Sequence, residues 1–193
     1  MDTAAAVLAA LLVPLAGAVL IALCGRRPNL REGVTLATAA LLFYVVASLL
    51  PAVLAGAQPA LALIEVMPGL ALAFRVEPLG MLFALVASGL WIVNSVYSIG
   101  YMRANAEAHQ TRFYVCFALS LAATMGIAMA ANLFTLFLFY EALTLVTYPL
   151  VVHAGTGAAR AGGRVYLGLL MGTSIVFMLP AIIPSRSSGS SMS

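Results

Sequence analysis

Long apolar runs, broken by short polar stretches that hold nearly every charge, alternate along the whole chain. A bilayer span needs about 20 consecutive apolar residues in a helix. Six segments qualify: 3–24, 33–54, 78–101, 112–131, 133–153 and 165–183. The pattern therefore predicts an all-α polytopic membrane protein of six transmembrane helices. The connection 55–77 is long for a bundle loop. It holds two short runs, 61–66 and 70–76, around Met67-Pro68-Gly69-Leu70. Pro then Gly at the centre suits a type II turn, because Gly supplies the positive φ. Residues 71–76 alternate as a strand would. An amphipathic outer β-hairpin between helices 2 and 3 is the expectation, with a re-entrant segment as the alternative.

Only Ala131 and Asn132 separate helices 4 and 5, which predicts a tight antiparallel pair. Ala118, Ala122, Gly126 and Ala130 recur at spacing four, and Gly80, Ala84 and Ser88 do so in helix 3. Gly168 and Gly172 form a shorter pair in helix 6. Such stripes let a neighbouring backbone approach closely, and ordinary helix packing accounts for all three. The chain divides into helices 1 and 2 (1–54), the outer loop (55–77), helices 3 to 6 (78–183) and a tail (184–193). Six of the ten tail residues are serine. Such a segment cannot bury apolar surface and is expected to be disordered. It reads as a truncation, a frameshift or a cloning scar, and it is left out of the fold.

Composition removes the soluble alternative. Of 193 residues, 64% are hydrophobic and 8% charged, against about 25% charged in soluble domains; the mean hydropathy is +1.10. The first segment opens on Asp2 instead of a basic residue and is too long for a signal peptide, so it reads as a retained helix. Cys24 follows Ile21-Ala22-Leu23, without the small residue a lipoprotein site wants just before its cysteine. All nine basic residues are arginines. Arg26, Arg27, Arg31, Arg103, Arg112, Arg160 and Arg164 fall on one side, Arg75 and Arg186 on the other. The positive-inside rule then puts the N-terminus outside. The net charge of +3 is a topology signal and gives no indication of nucleic-acid binding. Glu32, Glu65, Glu107 and His109 read as solvated loop residues. Cys24 and Cys116 read as inert thiols without metal-ligand spacing. No cofactor or metal is expected, and no chemistry by this chain alone.

One charge breaks the pattern. Glu141 sits near the middle of the apolar stretch 132–153. Insertion scales put an acidic residue at that depth at roughly +2.5 to +3.5 kcal/mol, and such residues usually mark an ion or proton path. Low dielectric disfavours the charged form of a carboxyl, which makes the group a candidate for taking up and releasing protons. Thr144 and Tyr148 share its helix face and are candidates for support. Pro149 frees the carbonyl of Leu145. His153 closes the helix at the cytoplasmic surface, where an imidazole titrates near neutral pH and could serve proton uptake. The plainer readings are a hydrogen-bonded structural Glu141, local backbone bonding for Thr144 and Tyr148, and an incidental His153.

The stretch NLFTLFLFYEALTLVTYPLVVH resembles the fifth helix of the proton-translocating, antiporter-like membrane subunits of respiratory complex I, Mrp-type sodium/proton antiporters and energy-converting hydrogenases. FRVEPLGMLFALVASGLW, VYSIGYM and GRVYLGLLMGTSIVFMLPAI agree, so the resemblance covers roughly residues 70–183. It implies that Glu141 is an intramembrane proton-transfer carboxylate that faces a lysine on a seventh helix. It implies as partners the lipid bilayer and other membrane subunits of a multisubunit complex, an NADH:quinone oxidoreductase-like or hydrogenase complex among them. Protons, and sodium in the Mrp branch, are the implied ions. The family fold has about fourteen helices with two inverted five-helix repeats, the first starting at helix 4. This sequence reads as a truncated version that stops after six, and it contains no lysine. A truncated or accessory membrane protein with a structural role only is the alternative.

Overall fold

The computed structural model describes residues 2–67, 70–105, 107, 109–151 and 157–182. The elements run α1 (Thr3–Leu23), α2 (Pro28–Leu54), β1 (Ala60–Met67), β2 (Leu70–Arg75), α3 (Pro78–Ala104), α4 (Gln110–Ala128), α5 (Leu133–Val151) and α6 (Gly157–Ile182). Among the described residues, five helices, α1 to α5, are long and apolar enough to cross a membrane, and the apolar run described in α6 is Val165–Val176. The chain is thus a multi-pass helical membrane protein with a two-stranded antiparallel hairpin between α2 and α3. The expected turn residues Pro68 and Gly69 lie outside the described residues, and so does the serine-rich tail.

Helices α1 to α4 form a closed ring in which each packs on the next and α4 returns to α1. Val7, Ile21, Leu42, Met81, Trp91 and Met125 fill the core between them. Helix α5 packs on α4, and α6 on α5, so these two lie outside the ring. Lipid is as apolar as leucine, so helix contact rests on close fit rather than escape from water. Gly126 supplies that fit between α4 and α5, since a Cβ there would overlap the Phe139 ring. Gly80 does the same between α3 and α4, against the carbonyl of Ala128. The pair Gly168 and Gly172 departs from expectation: among the described residues, both face open space.

The short α4–α5 connection is more than a tight turn. Its backbone runs along the free edge of β2, with Phe74 bridging Ala130. The N–H of Arg75 donates to the Met129 carbonyl at 2.7 Å, and that of Ala131 to the Ala73 carbonyl at 3.0 Å. Asn132 holds the junction from both sides. Its Nδ2 donates to the Ala71 carbonyl at 2.7 Å, and its Oδ1 accepts from the Thr135 N–H at 2.8 Å, capping α5. Phe74 then meets Phe139 edge to face at 5.6 Å. The hairpin, α4 and α5 are therefore joined at one end of the molecule.

At the other end the sequence reading needs correction. Helix α2 starts at Pro28 instead of Gly33, because proline is pre-set for the first helical position. Arg31 and Glu32 consequently lie in its first turns, each only 4% exposed. Glu32 is not a solvated loop residue. It accepts from Nε of Arg103 at 3.1 Å and from Nη2 of the same side chain, and it lies 3.5 Å from Arg31. Arg31 donates to Gln110 at 2.7 Å and to Thr111 at 3.1 Å, and its guanidinium sits 5.3 Å from the centre of the Tyr114 ring. A desolvated charge survives only when paired and hydrogen-bonded, and here the partners come from α3 and α4.

Two stability outcomes follow. Asn132→Ala removes a helix cap and a hairpin bond together, and should lower unfolding free energy by about 1–2 kcal/mol. Its signature is a lower melting temperature in detergent, with faster proteolysis in the hairpin; an unaltered melting temperature would contradict the junction described. Glu32→Ala leaves Arg31 buried without its carboxylate and should cost about 3–5 kcal/mol. A loss below that caused by Asn132→Ala would mean that the ion cluster holds nothing together.

Candidate functional site

Helix α5 starts at the Asn132 cap and carries Pro149 in its last turn. A proline there has no N–H to give the Leu145 carbonyl. The helix is weakly covered: among its described side chains only Thr135 and Thr144 are buried. Glu141 stands midway along it, half-buried, and its carboxyl is directed at α6. Ser174 Oγ donates to Glu141 Oε1 and also lies 3.1 Å from the Met171 carbonyl on its own helix. Glu141 Oε2 is buried and has no hydrogen-bond partner among the described residues. Ser174 is 7% exposed, the one buried side chain among those described on α6.

The other expected site residues behave differently. Thr144 is buried, but its Oγ1 donates to the Tyr140 carbonyl at 3.1 Å, one turn back on α5. Thr147 does likewise to Leu143 at 2.9 Å. Tyr148 is half-buried a turn further along. His153 lies outside the described residues. The structure thus links Glu141 across to α6 and keeps the hydroxyl of Thr144 on its own backbone. Ser174 was missed from the sequence. Its only signal there is a hydroxyl pair, Thr173-Ser174, in the middle of an apolar run.

Other features of the molecule do not extend the site. A cavity of about 260 Å³ lies between α1, α4, α5 and the hairpin, lined by apolar side chains that include Leu11, Phe74, Leu119, Phe139 and Val146. Glu141 is not among its lining residues. No three His, Cys, Asp or Glu side chains come together as a metal site among the described residues.

Fold and site together define a multi-pass membrane protein with a mid-span carboxyl hydrogen-bonded across a helix pair. No family model matches the chain. Over 75 residues it is 32% identical to the Na(+)/H(+) antiporter subunit A1 of Staphylococcus aureus (strain bovine RF122 / ET3-1), a stretch that covers 39% of this chain and 9% of that protein. The fold is similar to a chain of the membrane-bound sulfane sulfur reductase (MBS), an archaeal respiratory membrane complex. That likeness has a TM-score of 0.77 at 18% identity, and spans 90% of this chain and 35% of the other. The two findings support the antiporter-like membrane-subunit family that the sequence motifs resemble.

The back-bonded Thr144 gives a direct outcome. Thr144→Val keeps shape and orphans no acceptor, because the Tyr140 carbonyl retains its helical bond, so stability should change by less than about 1 kcal/mol. A larger drop in melting temperature would show that the Thr144 hydroxyl has a partner beyond its own helix.

Proposed function

We propose that this chain is part of a proton-translocating, cation/proton antiporter-like membrane subunit, with Glu141 as its intramembrane proton-transfer carboxylate. The observation that carries the reading is the state of that side chain. It is a carboxyl midway along a spanning helix, with one oxygen held by a neutral hydroxyl and the other buried without a partner among the described residues. A charge kept only for structure is normally paired on all sides, as Glu32 is. The likeness to a sodium/proton antiporter subunit supports the reading, and sodium is a candidate second ion. Thr144, Tyr148 and His153 are proposed as its supporting residues on the same helix and at its end. The likeness to a respiratory membrane complex supports other membrane subunits as partners.

The proposed division follows the elements: helices 1 and 2 over 1–54, the outer hairpin loop over 55–77, helices 3 to 6 over 78–183 with the first antiporter-like repeat starting at helix 4, and the tail over 184–193. Orientation is proposed with the N-terminus outside and the chain in a bacterial inner membrane. The α1–α2 connection with Arg26 and Arg27, the α3 end with Arg103 and the α4 start with Arg112 favour that orientation.

A structural role alone is the second reading, favoured by the same bond, since Ser174 and Glu141 also tie α6 to α5. Glu141→Gln separates the two, because glutamine keeps the shape and a hydrogen bond but carries no exchangeable charge. Measured as proton uptake in vesicles holding the complete assembly, transport should fall by at least about a hundredfold, within the range for a positioned proton-transfer group. Insertion and assembly should be intact. Full transport in this variant would leave the structural reading in its place.

A further inference from the structure

Within α5 and α6, Ser174 is the described hydroxyl that donates across to the other helix, whereas Thr135 at the start of α5 accepts from the Ala73 N–H of the hairpin. Thr144, Thr147 and Thr173 each donate to carbonyls of their own helix. Ser174 has such a carbonyl too, Met171 at 3.1 Å, and in addition reaches the Glu141 carboxyl on the other helix. A serine hydroxyl holds one proton and two acceptor lone pairs. It cannot donate to Glu141 and to Met171 at once with a full bond to each.

We propose that Ser174 is a positioning residue for Glu141 that fits both charge states of the carboxyl by turning its hydroxyl. With Glu141 charged, Ser174 Oγ–H donates to Oε1. With Glu141 neutral, the carboxyl O–H donates to Ser174 Oγ, and the serine proton turns to the Met171 carbonyl. Ser174 keeps its own proton throughout, so one proton arrives at Glu141 or leaves it and none is left over. The inference rests on the proton-transfer reading of Glu141 above. A donor-only neighbour such as a lysine would favour one charge state, and an alanine would serve neither.

The position agrees with that role. Ser174 is the buried side chain on an α6 whose other described side chains are half-buried or exposed, so solvent or lipid does not compete for its hydroxyl. Glu141 Oε2 stays unpartnered among the described residues, so Ser174 is the polar side chain seen to hold the carboxyl in place. Only the hydroxyl proton has to turn, because Glu141 Oε1 and the Met171 carbonyl are both within reach of the same Oγ.

The test uses the complete assembly in lipid vesicles with three variants, Glu141→Gln, Ser174→Ala and Ser174→Thr. Infrared spectra isolate the carboxyl stretches of Glu141 as the bands that Glu141→Gln removes. In Ser174→Ala the neutral-carboxyl band should move to higher wavenumber and transport should fall about tenfold, the scale for losing one charge-assisted hydrogen bond. Ser174→Thr should restore both band and rate. If Glu141→Gln blocks transport while the bands in Ser174→Ala stay where they are, the Ser174 inference is overturned and the role of Glu141 stands. If Glu141→Gln transports normally, the proton-transfer reading fails and takes this inference with it. A lowered rate in Ser174→Ala that threonine does not rescue, with bands unmoved, also overturns it, since packing alone then explains the loss.

Discussion

Nothing inside a bilayer supplies a hydrogen bond, so every polar group on a spanning helix has to be answered from within the protein. Most hydroxyls here are answered locally. Thr35, Thr38, Ser88, Ser120, Thr124, Thr144 and Thr147 each donate to a carbonyl one turn back on their own helix. Such bonds need no tertiary partner and leave the helix free to pack by shape. Charges cannot be answered that way. Glu32 draws on Arg103 from α3, and Glu141 draws on Ser174 from α6. The charged groups therefore decide which helices must be neighbours, while the hydroxyls and small residues decide how closely they lie.

The carboxylates of Glu32 and Glu141 are satisfied to different degrees, and the contrast bears on what each does. Glu32 sits near a helix end between two guanidinium groups, one of them half open to solvent. Its charge is matched in full, and the cluster ties α2, α3 and α4 together at that end. Glu141 has a single neutral hydroxyl, at mid-helix, on the least covered of the spanning helices. At a bilayer centre a charge costs about 2.5–3.5 kcal/mol, while one hydrogen bond to a charged group contributes about 1.5–3 kcal/mol. The opposing terms are close in size. Glu141 is thus compensated far less fully than Glu32, in keeping with the role proposed for it.

Hydropathy and turn chemistry were enough to read the helices and the hairpin, because both signals are local. Twenty apolar residues declare a span, and Pro-Gly between alternating residues declares a turn. The α4–α5 junction was half legible: two intervening residues imply a tight pair, but the pairing of that junction with β2 joins Ala131 to Ala73, far apart in the chain. The misreading of Glu32 has the same origin. Its nearest sequence neighbours suggest a solvated loop, and only Arg103, 71 positions away, makes burial tolerable. Glu141 was legible from its cost alone, whereas Ser174 was not, since a serine in an apolar run is usually back-bonded and silent. For the glycines, Gly126 and Gly168 look alike in sequence. What separates them is Phe139, which fills the space at one and has no counterpart at the other among the described residues.

The placement of Glu141 outside the ring of α1 to α4 has a mechanical consequence. The ring is packed around Trp91, Leu42 and Met81 and braced by an ion cluster, so a change of charge nearby has little there to displace. Helix α6 is attached otherwise. Among its described side chains only Ser174 is buried, and its polar tie to α5 is the bond to Glu141. Among the described residues, α5 and α6 are thus tied by one polar contact, whereas α1 to α4 are locked together by large side chains. The proposed proton transfer at Glu141 therefore bears first on the contact between α5 and α6, and the packed ring lies one helix further away.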